Sequence, residues 1–191
     1  CMQIRQRSLT CTPDCDERLF CLPESSKNDV KTPSSATGIN MRYWLMKSEP
    51  SVISIDDLLA MPRQTVDWWG VRNYMARNFM RDQMKVGDGV FFYHSSCPEP
   101  GIAGLAEVAT LAYPDRTQFD PSSQYYDPKA TPESPRWMNV DIRGLKKIIL
   151  IALDELRAHP ELANMRTLQK GNRLSITPID PAEWKFINKK L

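Results

Sequence analysis

Hydrophobic positions along the chain fall in short blocks separated by proline, glycine and serine, and the period within each block names the element it predicts. Residues 43–46, YWLM, suit a short strand that ends at the polar KSEP, where Pro50 forbids continuation of a central ladder. Val52, Ile55, Leu58 and Leu59 then share a helical face. Ser54 with Asp57 three residues on is a capping-box pattern, so a helix is predicted to about Met61. In 67–79, DWWGVRNYMARNF, Asn73 is placed to cap a second helix with Met75, Phe79 and Met80 facing inward. Residues 90–93 read as a strand ending on His94, and GIAGLAEVATLAY as its hairpin partner, whose glycines let backbone approach a ligand or a neighbour closely.

Residues 113–135 contain five prolines and no clear period. A loop of that length inside a domain is usually functional or mobile. Strand character returns at 137–142, short helices broken at Pro160 follow at 153–158 and 162–168, and RLSITPI is a last strand. A terminal helix is predicted over 181–190, with proline in the first position. Five or six short strands interleaved with peripheral helices predict an α+β fold, a small and mostly non-parallel barrel of mixed class.

Composition divides the chain. Residues 24–40 are poor in large apolar groups and rich in Ser, Thr, Pro and Asn, so 1–40 reads as a disordered tail and linker and 41–191 as one folded domain, with Met41 a candidate start. A length of 191 residues fits a single core. The formal charge of +2 makes any nucleic-acid affinity local rather than polybasic. The longest apolar run, 148–153, is far short of the roughly 18 residues that span a bilayer, so no membrane partner is expected. Charged residues interrupt any secretory signal, which makes the cytoplasm, or the nucleus if the source is eukaryotic, the expected location.

Conventional catalysis and metal binding find little support. Cys1, Cys11, Cys15 and Cys21 lie in the tail without a histidine, and the body keeps only Cys97. His94 and Cys97 supply at most two ligands of the three or four a metal needs. The same two residues with Glu49 define the alternative to a binding function, a small-molecule or RNA-processing chemistry, but no third group to orient a base is evident. No metal or cofactor is expected, and nothing requires an obligate protein partner.

Aromatic residues carry more. Trp44, Trp68, Trp69, Tyr74, Tyr93 and Trp137 all lie near polar segments, and stacking a base on a ring contributes about 1–3 kcal/mol. Trp44 and Trp137 read as core or wall residues. Trp68, in a loop before Gly70 and the Asn73 cap, is the candidate stacking wall. Arg77, Arg81 and Lys85 recur every four residues near Arg72, as either a phosphate-contacting stripe or a solvated face.

The segments YWLMKSEP, WWGVRNYMARNFMRDQMKVGD, VFFYHSSCPEPGIAGLAEV, AYPDRTQFDPSSQYYDPKATPESPRWMNVDI and NRLSITPI together resemble the EVE domain, over residues 41–187. The resemblance implies a PUA-like mixed β-pseudobarrel, related to YTH and ASCH domains. It implies a non-enzymatic module that recognises a modified nucleobase, with DNA carrying modified cytosine favoured and RNA possible as partner. By motif, it implies Lys47, Ser48 and Glu49 at one pocket edge, Trp68 as the stacking wall followed by Arg72 and Asn73, and Tyr93, His94, Gly101 and Ile102 near the ligand. Ser48 and Asn73 would pair the base edge, and Arg72 or Arg77 would hold a phosphate. The sequence departs from the family at Trp69, where a small acidic or polar residue is usual, which leaves open whether Trp68 or Trp69 faces the base. GLKKI after Ile142 also departs from the family's more aromatic-basic strand, away from the pocket motifs.

Overall fold

The computed structural model describes residues 41–189, so the tail and linker expected over 1–40 lie outside the described residues. The first strand runs two residues beyond expectation, as β1 (Tyr43–Ser48). The capping box is formed on both sides: the Ser54 hydroxyl accepts from Asp57 N, the Asp57 carboxylate accepts from Ser54 N, and α1 (Ile55–Ala60) follows. A three-residue strand, β2 (Thr65–Asp67), precedes the two tryptophans.

Asn73 caps α2 (Tyr74–Asn78), its Oδ1 accepting from Met75 N at 2.9 Å and Ala76 N at 3.2 Å. The helix then widens into a π-turn at Phe79–Gln83, which buries Phe79 and Met80. Met75, expected inside, is 45% exposed, because Ala76 is the α2 residue that faces the core.

β3 (Gly89–His94) and β4 (Gly101–Val108) make the expected antiparallel hairpin. β5 (Tyr113–Pro114) and β6 (Met138–Asn139) form a small separate ladder. The strand expected at 137–142 is instead β6 followed by the twelve-residue β7 (Asp141–Ala152). Its pairing with β4 shifts register twice, and each irregularity breaks the period of two by which a strand is read. α3 (Leu153–Ala158), β8 (Ile176–Ile179) and α4 (Pro181–Asn188) complete the chain.

The six main strands form one curled sheet in the order β2-β7-β4-β3-β1-β8, with β1 and β3 parallel and the other pairs antiparallel. Pro178 is tolerated because β8 is an edge strand. Alternation along β1 and β3 then sends side chains to two cores. Trp44, Met46, Val90 and Phe92 join Ile53, Ile55, Leu58, Trp68, Phe79 and Met80 on one side. Leu45, Phe91 and Tyr93 join Ile102, Ile151, Leu156 and Ile187 on the other.

The buried Asp88 carboxylate staples the start of the sheet. It accepts from Trp44 Nε1 at 3.0 Å, Arg42 N at 3.1 Å and Lys85 N at 3.0 Å, which satisfies a tryptophan only 1% exposed. No helix among the described residues is long and apolar enough to cross a membrane.

Candidate nucleic-acid interface

The strand period decides which of the expected site residues meet. Ser48 pairs with His94 and Lys47 with Tyr93 across the parallel β1–β3 ladder, so the two pairs point to opposite faces of the sheet. Ser48 and His94 lie on the face that carries Trp68. The Lys47 ammonium sits 5.9 Å from the Tyr93 ring centre on the other face, where burial lowers its pKa. Tyr93 and Ile102 are core residues there, 3% and 0% exposed. Lys47, Tyr93 and Ile102 are thus separated from Ser48 by the sheet itself, a correction to a site assembled from consecutive motif residues.

Gly101 is also explained without a ligand. A Cβ at this position would collide with the Ile151 carbonyl, so its lack of a side chain serves the close approach of β4 to β7.

On the Trp68 face, Phe92 contacts two of the expected residues, with ring centres 5.9 Å from Trp68 and 5.8 Å from His94, both edge-on. His94 Nε2 accepts from Ile55 N at 3.1 Å, at the first turn of α1. That bond needs an unprotonated Nε2, and burial lowers the His94 pKa accordingly, against the opposing pull of Asp56 and Asp57. The Ser48 hydroxyl donates to the Ile53 carbonyl at 2.8 Å, and Ser95 N donates to the Ser48 carbonyl at 2.8 Å, so the turn beginning at Glu49 is fixed from both sides. The Cys97 thiol points elsewhere and donates to the Glu99 carbonyl at 3.4 Å. His94 and Cys97 therefore do not form the nucleophile and base that a chemical role at this loop would need.

Trp68 stands in the loop after β2, as expected, but it is 3% exposed and part of the core, so its face is not open. Trp69 is half-buried and meets the Tyr125 ring edge-on at 5.3 Å. Tyr125 in turn lies over Gly70. That glycine has φ +80°, and a Cβ there would come within 2.9 Å of the tyrosine ring, so both the backbone conformation and the overlying ring require glycine.

The 113–135 loop is held in place by two buried polar residues. Asp115, fully buried, accepts from Gly70 N at 3.1 Å, Arg72 Nη1 at 2.8 Å and Thr117 N at 2.8 Å. Gln118, also fully buried, donates to the Asp115 and Trp137 carbonyls and accepts from the backbone of Arg136 and Trp137. Arg72 completes the join, donating from Nε and Nη2 to the Tyr125 carbonyl at 3.0 and 2.6 Å and from Nη2 to Thr117 Oγ1 at 3.0 Å. Its guanidinium is committed to the loop, which corrects the expectation that Arg72 holds a phosphate. The Tyr125 pKa is raised, by burial first; Arg72 opposes the shift, and Asp115 and Glu49 add to it, which puts Glu49 within electrostatic reach of this ring.

The expected Arg77, Arg81 and Lys85 stripe does not form. The π-turn changes the angle per residue after Asn78 and the helix ends at Met84, so Lys85 lies beyond it. Arg81 pairs with Asp82 at 2.7 Å, while Arg77 donates to Asn78 Oδ1 and to the Arg136 carbonyl at 2.9 Å.

The sequence profile of the EVE domain matches residues 42–190. The chain belongs to the EVE domain family. Thymocyte nuclear protein 1 of Homo sapiens is 43% identical over 183 residues, covering 85% of this chain and 76% of that protein. The Mus musculus protein of the same name is 42% identical, covering 86% and 80%. Among solved structures, the human THYN1 protein in complex with 5-methylcytosine-containing DNA superposes with a TM-score of 0.73 at 42% identity, covering 78% of this chain and 96% of that one. A protein from Pseudomonas putida has a TM-score of 0.73 at 47% identity, covering 77% and 97%.

The EVE domain here has the α+β, PUA-like half-barrel that the family resemblance implied. Two concavities lie away from the Trp68 face: one of about 530 Å³ between Tyr43, Pro181, Trp184 and Lys185, and one of about 220 Å³ lined by Arg63, Thr65, Asp141 and Arg143. Tyr125 covers Gly70, two residues along from Trp68. Asp115, Gln118 and Tyr125 were missed from sequence. The signal available was Pro114-Asp115 followed by Thr117, a turn-forming pattern in which the aspartate caps a short 3₁₀ segment.

Proposed function

We propose that this EVE domain binds DNA carrying a modified cytosine and catalyses no reaction. The base is held on the sheet face of Ser48, Trp68 and His94, beside the turn at Glu49. Trp68 forms the inner wall, and Trp69 with Tyr125 supplies the outer aromatic surface. The observation that carries this reading is the solved 5-methylcytosine DNA complex of a protein 42% identical to this one over 78% of the chain. The local chemistry agrees with it: aromatic rings and fixed backbone polar groups converge at one end of the sheet, while the residues that suggested catalysis point apart. In a eukaryotic cell that DNA lies in the nucleus.

A single added methyl in an apolar contact is worth about 1–3 kcal/mol, so 5-methylcytosine should be preferred over cytosine by roughly 10- to 200-fold. Titration of matched oligonucleotides with plain and methylated cytosine measures the ratio. Trp69→Ala should reduce affinity for the methylated oligonucleotide with the fold intact. Trp68→Phe, which keeps a ring in the core, is the better probe of the inner wall, because Trp68→Ala would cost about 3–5 kcal/mol in stability. Equal affinity of the unaltered chain for both oligonucleotides would sink the proposal.

A further inference from the structure

Beside the site, arginines and aromatic rings alternate in a continuous series. The Arg72 guanidinium lies 5.1 Å from the Tyr125 ring centre and 5.4 Å from that of Trp137. Trp137 stacks on Tyr74 at 4.9 Å with 29° between the planes. Arg77 and Arg136 lie 4.9 and 5.8 Å from the Tyr74 ring centre, and Arg136 Nη2 donates to the Tyr74 hydroxyl. Trp137 is buried and Arg72 and Tyr125 are partly buried, yet Tyr74 at the outer end of the series is 49% exposed.

Next to it Met75 is also open, at 45%, and the Arg166 guanidinium donates to its sulfur at 3.1 Å. A thioether is a weak acceptor, so Arg166 retains most of its capacity for a stronger one. Arg77 and Arg136 thus flank Tyr74 and Arg166 flanks Met75, with Asp127 the carboxylate paired to Arg136. An exposed ring backed by a second ring and flanked by guanidinia matches the chemistry of an unstacked nucleotide, which offers a flat base and an anionic phosphate together.

We propose that Tyr74 is a stacking platform for the unpaired nucleotide that flanks the recognised base in DNA, with Arg136 and Arg166 contacting its phosphates. The proposal rests on the modified-base reading above and extends it from one nucleotide to its neighbour. The series through Trp137 and Arg72 connects the platform to Tyr125 and so to the Gly70 segment. A ring fixed by stacking from behind loses little freedom when a base settles on it.

Fluorescence anisotropy with a single-stranded nine-nucleotide DNA carrying one central 5-methylcytosine tests this, alongside versions with central cytosine and with abasic positions on both sides of the centre. Tyr74→Ala should weaken the complete methylated oligonucleotide by about 5- to 150-fold, the range expected for one stacked base. The preference for methylated over plain cytosine should be unchanged, and Tyr74→Trp should retain affinity. On the abasic oligonucleotide, Tyr74→Ala should bind as the unaltered chain does. Arg166→Gln, at an exposed position, should make the slope of log K against log salt shallower by about 0.7, the value for one phosphate contact on a single strand.

Unchanged affinity of Tyr74→Ala for the complete oligonucleotide, or an equal loss on the abasic one, overturns the platform. If the unaltered chain shows no preference for methylated cytosine but Tyr74→Ala still loses affinity only where flanking bases are present, the modified-base reading fails and the platform stands.

Discussion

At the scale of single residues, several side chains that read as ligand contacts have structural partners. Arg72, Asn73 and His94 each hydrogen-bond to backbone or carboxylate groups of the protein itself. His94 makes a pH dependence predictable. Its folded pKa is lowered below the ordinary value of 6.5, so the unfolded chain binds a proton more readily. Its contribution to stability is complete above pH 6.5 and is lost as pH falls from there through the lowered folded pKa. Melting temperature should decline over that interval, and His94→Gln, which keeps an acceptor near Ile55 N, should flatten the decline. A parallel decline in the variant would remove His94 as its source. Asp88→Ala should cost about 3 kcal/mol in urea unfolding, because it strips partners from the buried Trp44 indole and two backbone amides.

At the scale of elements, the local signals held where their partners are close in sequence. The capping boxes at Ser54 and Asp180 and the Asn73 cap each join groups within three residues, and all three helices start where those residues stand. Asn73→Ala should therefore cost about 1 kcal/mol in thermal unfolding, the usual value of an N-cap, whatever its effect on binding. Elements were lost where regularity breaks. β7 hides its length behind two shifts of register, and the π-turn after Asn78 dissolves a four-residue arginine stripe. The face of each β1 and β3 residue was nonetheless readable. Neighbours in a strand point to opposite sides, so Lys47 and Ser48 belong to different surfaces once the strand is recognised to reach Ser48.

At the scale of the whole molecule, the 113–135 loop is part of the candidate interface because Asp115 and Arg72 tie it to the Gly70 segment, 43 to 53 residues away for the Arg72 contacts to Asp115 and Tyr125, while Gln118 ties it to the Arg136–Trp137 backbone. Arg72→Lys loses the planar fork that reaches Asp115, Thr117 and Tyr125 at once. Faster amide exchange across 113–135, with the main sheet unchanged, is the expected result by hydrogen-exchange mass spectrometry; an unaltered loop would show that Asp115 and Gln118 hold it alone.

The family, the α+β class, the helix starts and most strands follow from the sequence by itself, since they rest on hydrophobic period, capping pairs and long motif segments. The burial of Trp68 and the pairing of Trp69 with Tyr125 come only from the tertiary structure. Each depends on which distant segment covers which face, and that is decided by packing and by long-range hydrogen bonds that leave no period along the chain. The two tryptophans of DWWG, identical as letters, differ for this reason: one closes the core against Phe92, and the other faces the loop that Arg72 holds down.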